Sequence, residues 1–77
     1  MLPGDVHSWI MWGFNYGDVV SVSAHPVVGN PNAERILAVE NVHVEGNVGG
    51  RRLLFDVRNV GPDSIPGYIN AYSWVSP

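Results

Sequence analysis

The residues that could hold a metal or move a proton are spread thinly along the chain. His7, His25 and His43 have neither a His-x-His nor a His-x-x-x-His spacing. The chain has no cysteine, so disulfides and thiolate metal sites are excluded. Strands that converge in a sandwich can bring three histidines to one zinc ion. Independent histidines are far commoner, and we expect no metal and no cofactor.

The carboxylates and hydroxyls form no recognisable catalytic motif. The acids are Asp5, Asp18, Glu34, Glu40, Glu45, Asp56 and Asp63. Most of them fall in predicted turns or opposite arginine, and a chain of 77 residues has little room for a substrate cleft beside a core. No serine lies in a nucleophile-elbow motif, and the glycine run 46–50 lacks the lysine and helix start of a phosphate loop. We therefore predict that the chain is not an enzyme.

The charge balance argues against polyanionic partners. Seven acids and four arginines, with no lysine, give a net charge of -3. Only Arg51, Arg52 and Arg58 cluster, and three arginines on one strand are more often a solvated face than a phosphate track. We expect no nucleic-acid partner and no membrane insertion, since no apolar run reaches the roughly 20 residues of a span. Residues 1–5 lack the features of a signal peptide. A soluble chain is expected, and a domain of an exported protein stays open, so the location is left undecided.

Aromatic side chains are the stronger functional signal. The candidates for a binding surface are Trp9, Trp12, Tyr68, Tyr72 and Trp74. The last three share one face of a predicted strand. Core packing is the favoured interpretation, because a small sandwich needs large side chains. A subunit interface and a platform for sugar rings are the two alternatives.

These side chains must be positioned by strands, of which Arg51–Gly61 is the most regular. Leu53, Phe55 and Val57 share one face at period two, and most of the charged residues lie on the other. Turn residues from Asn59 to Asp63 end it. The pattern predicts a central strand that the rest of the chain pairs with.

Two strands are predicted before it. In the run 7–14, Ser8, Ile10, Trp12 and Phe14 share one face, and the opposite face is also largely apolar, which predicts a strand covered on both sides. Residues 15–18 form a connection of hairpin length. The run 19–25 alternates clearly, and Pro26 ends its ladder.

Residues 35–45 and 68–75 supply the remaining strands. In the first of these, the apolar phase slips near Glu40 and Asn41, which indicates a β-bulge or a strand that changes sheets. A helix over residues 33–40 is the competing interpretation. The glycine-rich turn 46–50 predicts antiparallel pairing with the central strand.

Five or six strands without a helix predict an all-β fold. We expect a small antiparallel immunoglobulin-like β-sandwich that occupies residues 1–77 as a single domain. A chain this short has a thin stability margin, so it must pack its core well or associate.

The second half of the chain resembles the bacterial immunoglobulin-like modules of the CARDB type. The resemblance rests on the strands at 37–39 and 42–44, the strand 53–57 with its Asn-x-Gly turn at 59–61, and the Gly-Tyr strand start at 67–68. The later strands of such modules are similar to Leu2-Pro3-Gly4-Asp5 and to residues 20–26, which stand here at the front. His25 stands where the family tends to have Asp. The order therefore looks circularly permuted.

The resemblance implies adhesion, spacer or binding roles at cell surfaces. It favours a non-catalytic module that works by self-association, as a homo-oligomer, or within a larger surface or fibre protein. If the two halves do not close within one chain, strands would be exchanged between chains. A small lectin-like module with a glycan ligand is the alternative function. A protein ligand bound through loops 26–33 and 61–67 is a third interpretation.

Overall fold

The structure, a computed structural model, describes residues 1–15, 17–27, 32–47 and 50–75, and for Asn47 only the backbone. These residues form five strands and no helix. The strands are β1 (Val6–Phe14), β2 (Val19–Pro26), β3 (Leu37–Asn47), β4 (Gly50–Asn59) and β5 (Tyr68–Val75). One antiparallel sheet has the order β1-β4-β3, and the other pairs β2 with β5. The predicted all-β fold, a small antiparallel sandwich, is confirmed.

Strand β4 is the centre of the larger sheet, as the sequence predicts. Leu53, Phe55 and Val57 are almost completely buried on its inner face. At alternate positions, Arg52 and Asp56 face outward among the side chains of β1 and β3. Period-two burial with one solvated face is the pattern that an antiparallel sheet produces when only one side is covered.

The antiparallel pairing of β3 with β4 is confirmed, and so is the predicted bulge. The register shifts between Glu40 and His43, and Asn41 adopts a positive φ of 54°. Asparagine tolerates this left-handed conformation better than other non-glycine residues. The bulge keeps Val39 and Val44 on the inner face in spite of their different parity. Residues 34–36 precede the strand without helical structure, so the helix interpretation was wrong.

Strand β1 differs from its prediction in two respects. Its outer face, with Ser8, Ile10 and Trp12, is exposed, so the strand is not covered on both sides, and it lies at the edge of the sheet. A register shift at Gly13, where φ is 96°, moves Phe14 onto the inner face beside Met11 and Trp9. The predicted grouping of Phe14 with Ser8, Ile10 and Trp12 was therefore wrong, because a bulge reverses the parity of the residues that follow it.

The connection from β1 to β2 crosses between the sheets, so it does not form the hairpin suggested by its length. Its described part is held by Asp18, whose carboxylate accepts a hydrogen bond from the backbone N–H of Asn15 (2.9 Å). Arg51 adds weaker bonds to the carbonyls of Asn15 and Asp18. Tyr16 lies outside the described residues.

The alternation predicted for residues 19–25 is confirmed in β2. Val20, Val22 and Ala24 pack toward the core, whereas Ser21 and Ser23 are exposed. Pro26 is the last residue of the strand and faces Tyr68. Because β1 pairs with β4 and β2 pairs with β5, the front half of the chain closes on the second half within one molecule.

Asn59 organises the end of β4 and the turn that follows. Its side chain is buried and donates to the carbonyls of Met1 (3.2 Å) and Asp63 (2.9 Å), while its oxygen accepts from the N–H of Gly61 (3.1 Å). A Cβ on Gly61 would come within 3.0 Å of the backbone of Glu34 and Ile36. This turn therefore requires both residue types, and it fixes the N-terminal segment against the loop.

The molecule is long and its core is thin. The radius of gyration is 14.3 Å, whereas a compact chain of this length is expected near about 11.5 Å. Its principal extents are 45 × 20 × 14 Å. Within the described residues only Phe14, Leu53, Phe55, Val57 and Ile65 are buried hydrophobics. The part of the chain that is described contains no helix that could cross a membrane.

Candidate functional site

Three of the aromatic and imidazole side chains meet where β5 crosses β1. The Nε1–H of Trp9 donates to the hydroxyl oxygen of Tyr68 at 2.8 Å, and the same hydroxyl lies 2.7 Å from Nδ1 of His7. Trp9 and Tyr68 also contact each other edge to face, with centroids 6.1 Å apart. Because Trp N–H can only donate, the Tyr68 hydroxyl is free to donate its own proton to His7. The cluster ties the two sheets together at one side.

Tyr72 belongs to the interior. Its ring packs edge to face on Phe55 with centroids 5.9 Å apart, and it adjoins the buried cluster around Phe55. A hydrophobic contact of this kind holds sheets together and presents no platform to a ligand. For Tyr72, the packing agrees with the core interpretation.

Trp12 lies on the opposite, outer face of the larger sheet. The guanidinium of Arg52 sits over its ring at 5.5 Å. Arg52 also donates two hydrogen bonds to Glu45, at 2.8 and 2.5 Å. These hydrogen bonds to Arg52 are the main reason that the pKa of Glu45 lies below its usual value. One arginine therefore connects β3, β4 and β1 across the outer face.

The tryptophans do not form the core that the sequence suggested for them. Trp74 lies opposite Val20 on β2, and its side chain is 53% exposed; the exposed fractions of Trp9 and Trp12 are 41% and 58%. Trp12 points away from the smaller sheet, and the small sandwich leaves Trp9 and Trp74 only partly covered. The five candidate residues therefore divide among a surface cluster, the interior, the outer face and the end of β5.

A shallow cleft of about 250 Å³ lies over the outer face of β4. Leu54 forms its floor, with Ser8 and Ile10 on one side, His43 on the other and Asp56 at one end. Sequence reasoning missed this site because its residues come from three strands and share no motif. Ile10 is the most exposed of the hydrophobic residues that line it, at 50%.

The polar groups of the cleft do not form a catalytic triad. The Ser8 hydroxyl donates directly to the Asp56 carboxylate at 2.7 Å. His43 instead contacts the Asn41 carbonyl (2.8 Å) and Glu45 (3.6 Å). A nucleophile needs its base within hydrogen-bond reach, and the hydroxyl of Ser8 is bonded to a carboxylate, not to His43. Within the described ranges, no three histidine, aspartate or glutamate side chains converge as metal ligands would.

The unpaired sheet edges are a further accessible feature of the molecule. Among the described residues, one edge of β1 has no strand paired to it, and Trp9, Ile10 and Trp12 lie along that strand. Tyr68 joins β5 to β1, whereas β2 packs near β3. The free edges of β1 and β5 therefore lie on the same side of the sandwich.

Comparison of this chain with protein-family models, with curated proteins and with solved structures finds no significant match.

Proposed function

We propose that this chain is a non-catalytic interaction module that works by self-association, alone or as part of a larger surface or fibre protein. The observation that carries the proposal is the free edge of β1. Trp9, Ile10 and Trp12 are 41%, 50% and 58% exposed along this edge strand, which pairs with β4 on one side only. Exposed apolar surface of this kind, concentrated on one element, is typical of an interaction site.

The exposed aromatic area is large for so small a molecule. A Trp side chain presents up to about 250 Å², so the exposed fractions of Trp9 and Trp12 on β1 leave roughly 250 Å² in contact with water. A standard interface buries about 800 Å² per partner. These two residues would supply about a third of that area, and aromatic side chains are the residue types that most often dominate binding energy.

Association also compensates for the thin core. Below about 70–80 residues a single core rarely supplies enough stability, and small folds without disulfides or metals often rely on a partner subunit. The resemblance to CARDB-type modules supports the same role, since it implies adhesion and spacer functions. Self-association does not require strands to be exchanged between chains, because the pairings β1–β4 and β2–β5 are complete within one molecule.

Mass measurement in solution tests the proposal directly. Sedimentation and light scattering from micromolar to millimolar concentration should show the mass rise from 8.4 kDa toward twice that value. Stability should rise with concentration as well, because a partner that binds only the folded state stabilises it by mass action. A chain that stays at monomer mass throughout, with a melting temperature independent of concentration, contradicts self-association.

Carbohydrate binding is the second candidate, and the cluster of Trp9, Tyr68 and His7 favours it. This cluster presents an aromatic ring and polar ring nitrogens at one partly exposed place. An aromatic face can stack on the apolar face of a sugar while polar groups bind its hydroxyls. A glycan array and quenching of tryptophan fluorescence by sugars test this function, and silence in both contradicts it.

A further inference from the structure

We propose that the partner is a second copy of this chain, and that it binds by antiparallel pairing of β1 with the same strand of the other copy. The two-fold axis passes near Ile10, the middle residue of β1 (Val6–Phe14). The product is a continuous six-stranded sheet with the order β3-β4-β1-β1-β4-β3. This inference rests on the proposed self-association and adds which edge performs it.

Strand β1 lacks the devices that keep sheet edges from pairing. It spans nine residues with no Asp, Glu, Lys, Arg or Pro. Its single bulge is at Gly13, near the end, so residues 6–12 keep a regular register with β4. Natural edge strands are usually shortened, charged, interrupted by proline or bulged in the middle. A long regular edge with none of these features is a template for another strand.

The β3 edge of the larger sheet and the β2 edge of the smaller sheet are better protected. In β3, the bulge at Asn41 interrupts the strand near its middle, and Glu40 and Glu45 lie on either side of it. A two-fold pairing of β3 would bring these carboxylates close to those of the other copy, and facing like charges destabilise a strand pair. Strand β2 ends in Pro26 and packs near β3.

The sequence of β1 is complementary to itself about Ile10. In that register Trp9 faces Met11 of the partner subunit, Ser8 faces Trp12 of the partner subunit, and Ile10 faces its own copy. All of these pairs are uncharged, and pairs of apolar side chains across strands are the unit of sheet stabilisation. In that register residues 8–12, the part of β1 before the bulge at Gly13, pair regularly over about 17 Å, which adds backbone hydrogen bonds to the contact of the rings.

Strand β5 is the competing edge and therefore the source of the matched control. It is also uncharged, and its Ile69 is 64% exposed, as Ile10 is 50% exposed on β1. Neither isoleucine is among the buried core residues. Ile10→Lys and Ile69→Lys therefore make the same chemical change at two unpaired edges of one molecule.

The experiment measures the dissociation constant of the dimer by sedimentation equilibrium. We expect Ile10→Lys to raise it at least about tenfold, since the new ammonium groups would face each other across the axis. Ile69→Lys should leave it unchanged within about twofold. Circular dichroism and thermal unfolding at low concentration confirm that both variants fold. A larger effect of Ile69→Lys, or no effect of Ile10→Lys in a folded variant, overturns pairing through β1 while self-association stands.

A second measurement, disulfide crosslinking between copies, does not depend on how the fold accommodates a lysine. Because the chain has no cysteine, single variants Ile10→Cys and Ile69→Cys report contact between copies. Facing residues of antiparallel strands lie about 4.5–5.5 Å apart, within the range of a disulfide. Mild oxidation should give a covalent dimer with Ile10→Cys and little with Ile69→Cys. The reverse pattern, or equal slow crosslinking of both, overturns the inference; a wild-type chain that is monomeric throughout overturns the proposed function with it.

Discussion

The two edges of the larger sheet, β1 and β3, share one partner and are built in opposite ways. Both pair antiparallel with β4. Strand β3 carries Glu40 and Glu45, each bonded to an arginine of β4, and is bulged at Asn41. Strand β1 carries no charge apart from any on His7, and its bulge is displaced to the end. The difference shows that an edge can be closed to pairing by charge and irregularity, or left open, within a single small sheet.

The charge pattern across β4 follows the same division. On the β3 side, Arg52 and Arg58 are paired with Glu45 and Glu40. On the β1 side, a neutral hydroxyl reaches Asp56, and the ring of Trp12 covers Arg52. Added salt should therefore weaken the ion pairs on the β3 side of the sheet and leave the contacts on the β1 side largely unaffected.

The largest loss of stability is expected on replacing Phe55, a core residue of the central strand with which both edge strands pair. Phe55 is 1% exposed and contacts Tyr72 of the other sheet. Phe55→Ala should lower the free energy of unfolding by about 3–5 kcal/mol, because it leaves a cavity in a core of few residues. Chemical denaturation measures the loss, with Val60→Ala, at a half-exposed position, as control. A loss below about 1 kcal/mol would mean that the edges are held independently of the core.

The bulges offer a sharper test of the comparison. Gly13→Ala places a Cβ at a φ of 96°, which L-residues adopt at a cost of about 1–2 kcal/mol. Steric crowding does not contribute to this cost, since no neighbouring atom lies within 4 Å of that Cβ. Asn41→Gly should leave the free energy of unfolding nearly unchanged, because two effects offset each other. Glycine adopts the left-handed conformation without strain, but it loses more chain entropy on folding. Thermal unfolding of both variants measures the change in stability. Equal changes for Gly13→Ala and Asn41→Gly would contradict the expected difference between the two bulges.

The sequence predicted β4 and β3 well and β1 poorly, for physical reasons. Strict alternation is visible in the residue types of β4, and the shift of phase at Glu40 and Asn41 is visible in those of β3. The central strand and the bulge of β3 were therefore predictable. In β1, apolar residues occupy both parities, and an exposed apolar edge strand has the same pattern as a strand buried on both faces. The bulge at Gly13 is hidden because glycine is compatible with a regular strand.

The candidate site shows the same limit. Residue type alone identified the aromatics, but it assigned the tryptophans to the core, because their size suits a sandwich of normal thickness. Trp12 is exposed because it lies on the outer face of the larger sheet, and Trp74 is exposed near the end of β5; both are more than half exposed. Ile10 had no signal of its own, since its exposure follows from the position of β1 at the edge.

The polar links on the two sides of β4 should respond differently to salt. Ser8→Ala removes the bond to Asp56 (2.7 Å), and Glu40→Gln removes the ion pair with Arg58 (2.6 Å). Both are exposed, so each loss should be about 0.2–1 kcal/mol. The loss from Glu40→Gln should shrink in high salt, whereas that from Ser8→Ala should persist. Denaturation at two ionic strengths measures both, and an identical salt response would remove the distinction between the two sides.

The smallest effect concerns pH and should be confined to the β3 edge. Hydrogen bonding to Arg52 lowers the pKa of Glu45 from its ordinary value of 4.5. A carboxyl group whose pKa is lower in the folded state contributes stability above its unfolded pKa and loses it as pH falls through the folded value. Glu45→Gln should therefore be slightly less stable than the wild type at neutral pH. This difference should disappear below pH 4.5, as the wild-type carboxyl group becomes protonated. Parallel melting curves of the two proteins across this range measure it. A difference that persists unchanged at the acid end would mean that Glu45 acts through packing, and that charge does not distinguish β3 from β1 at this position.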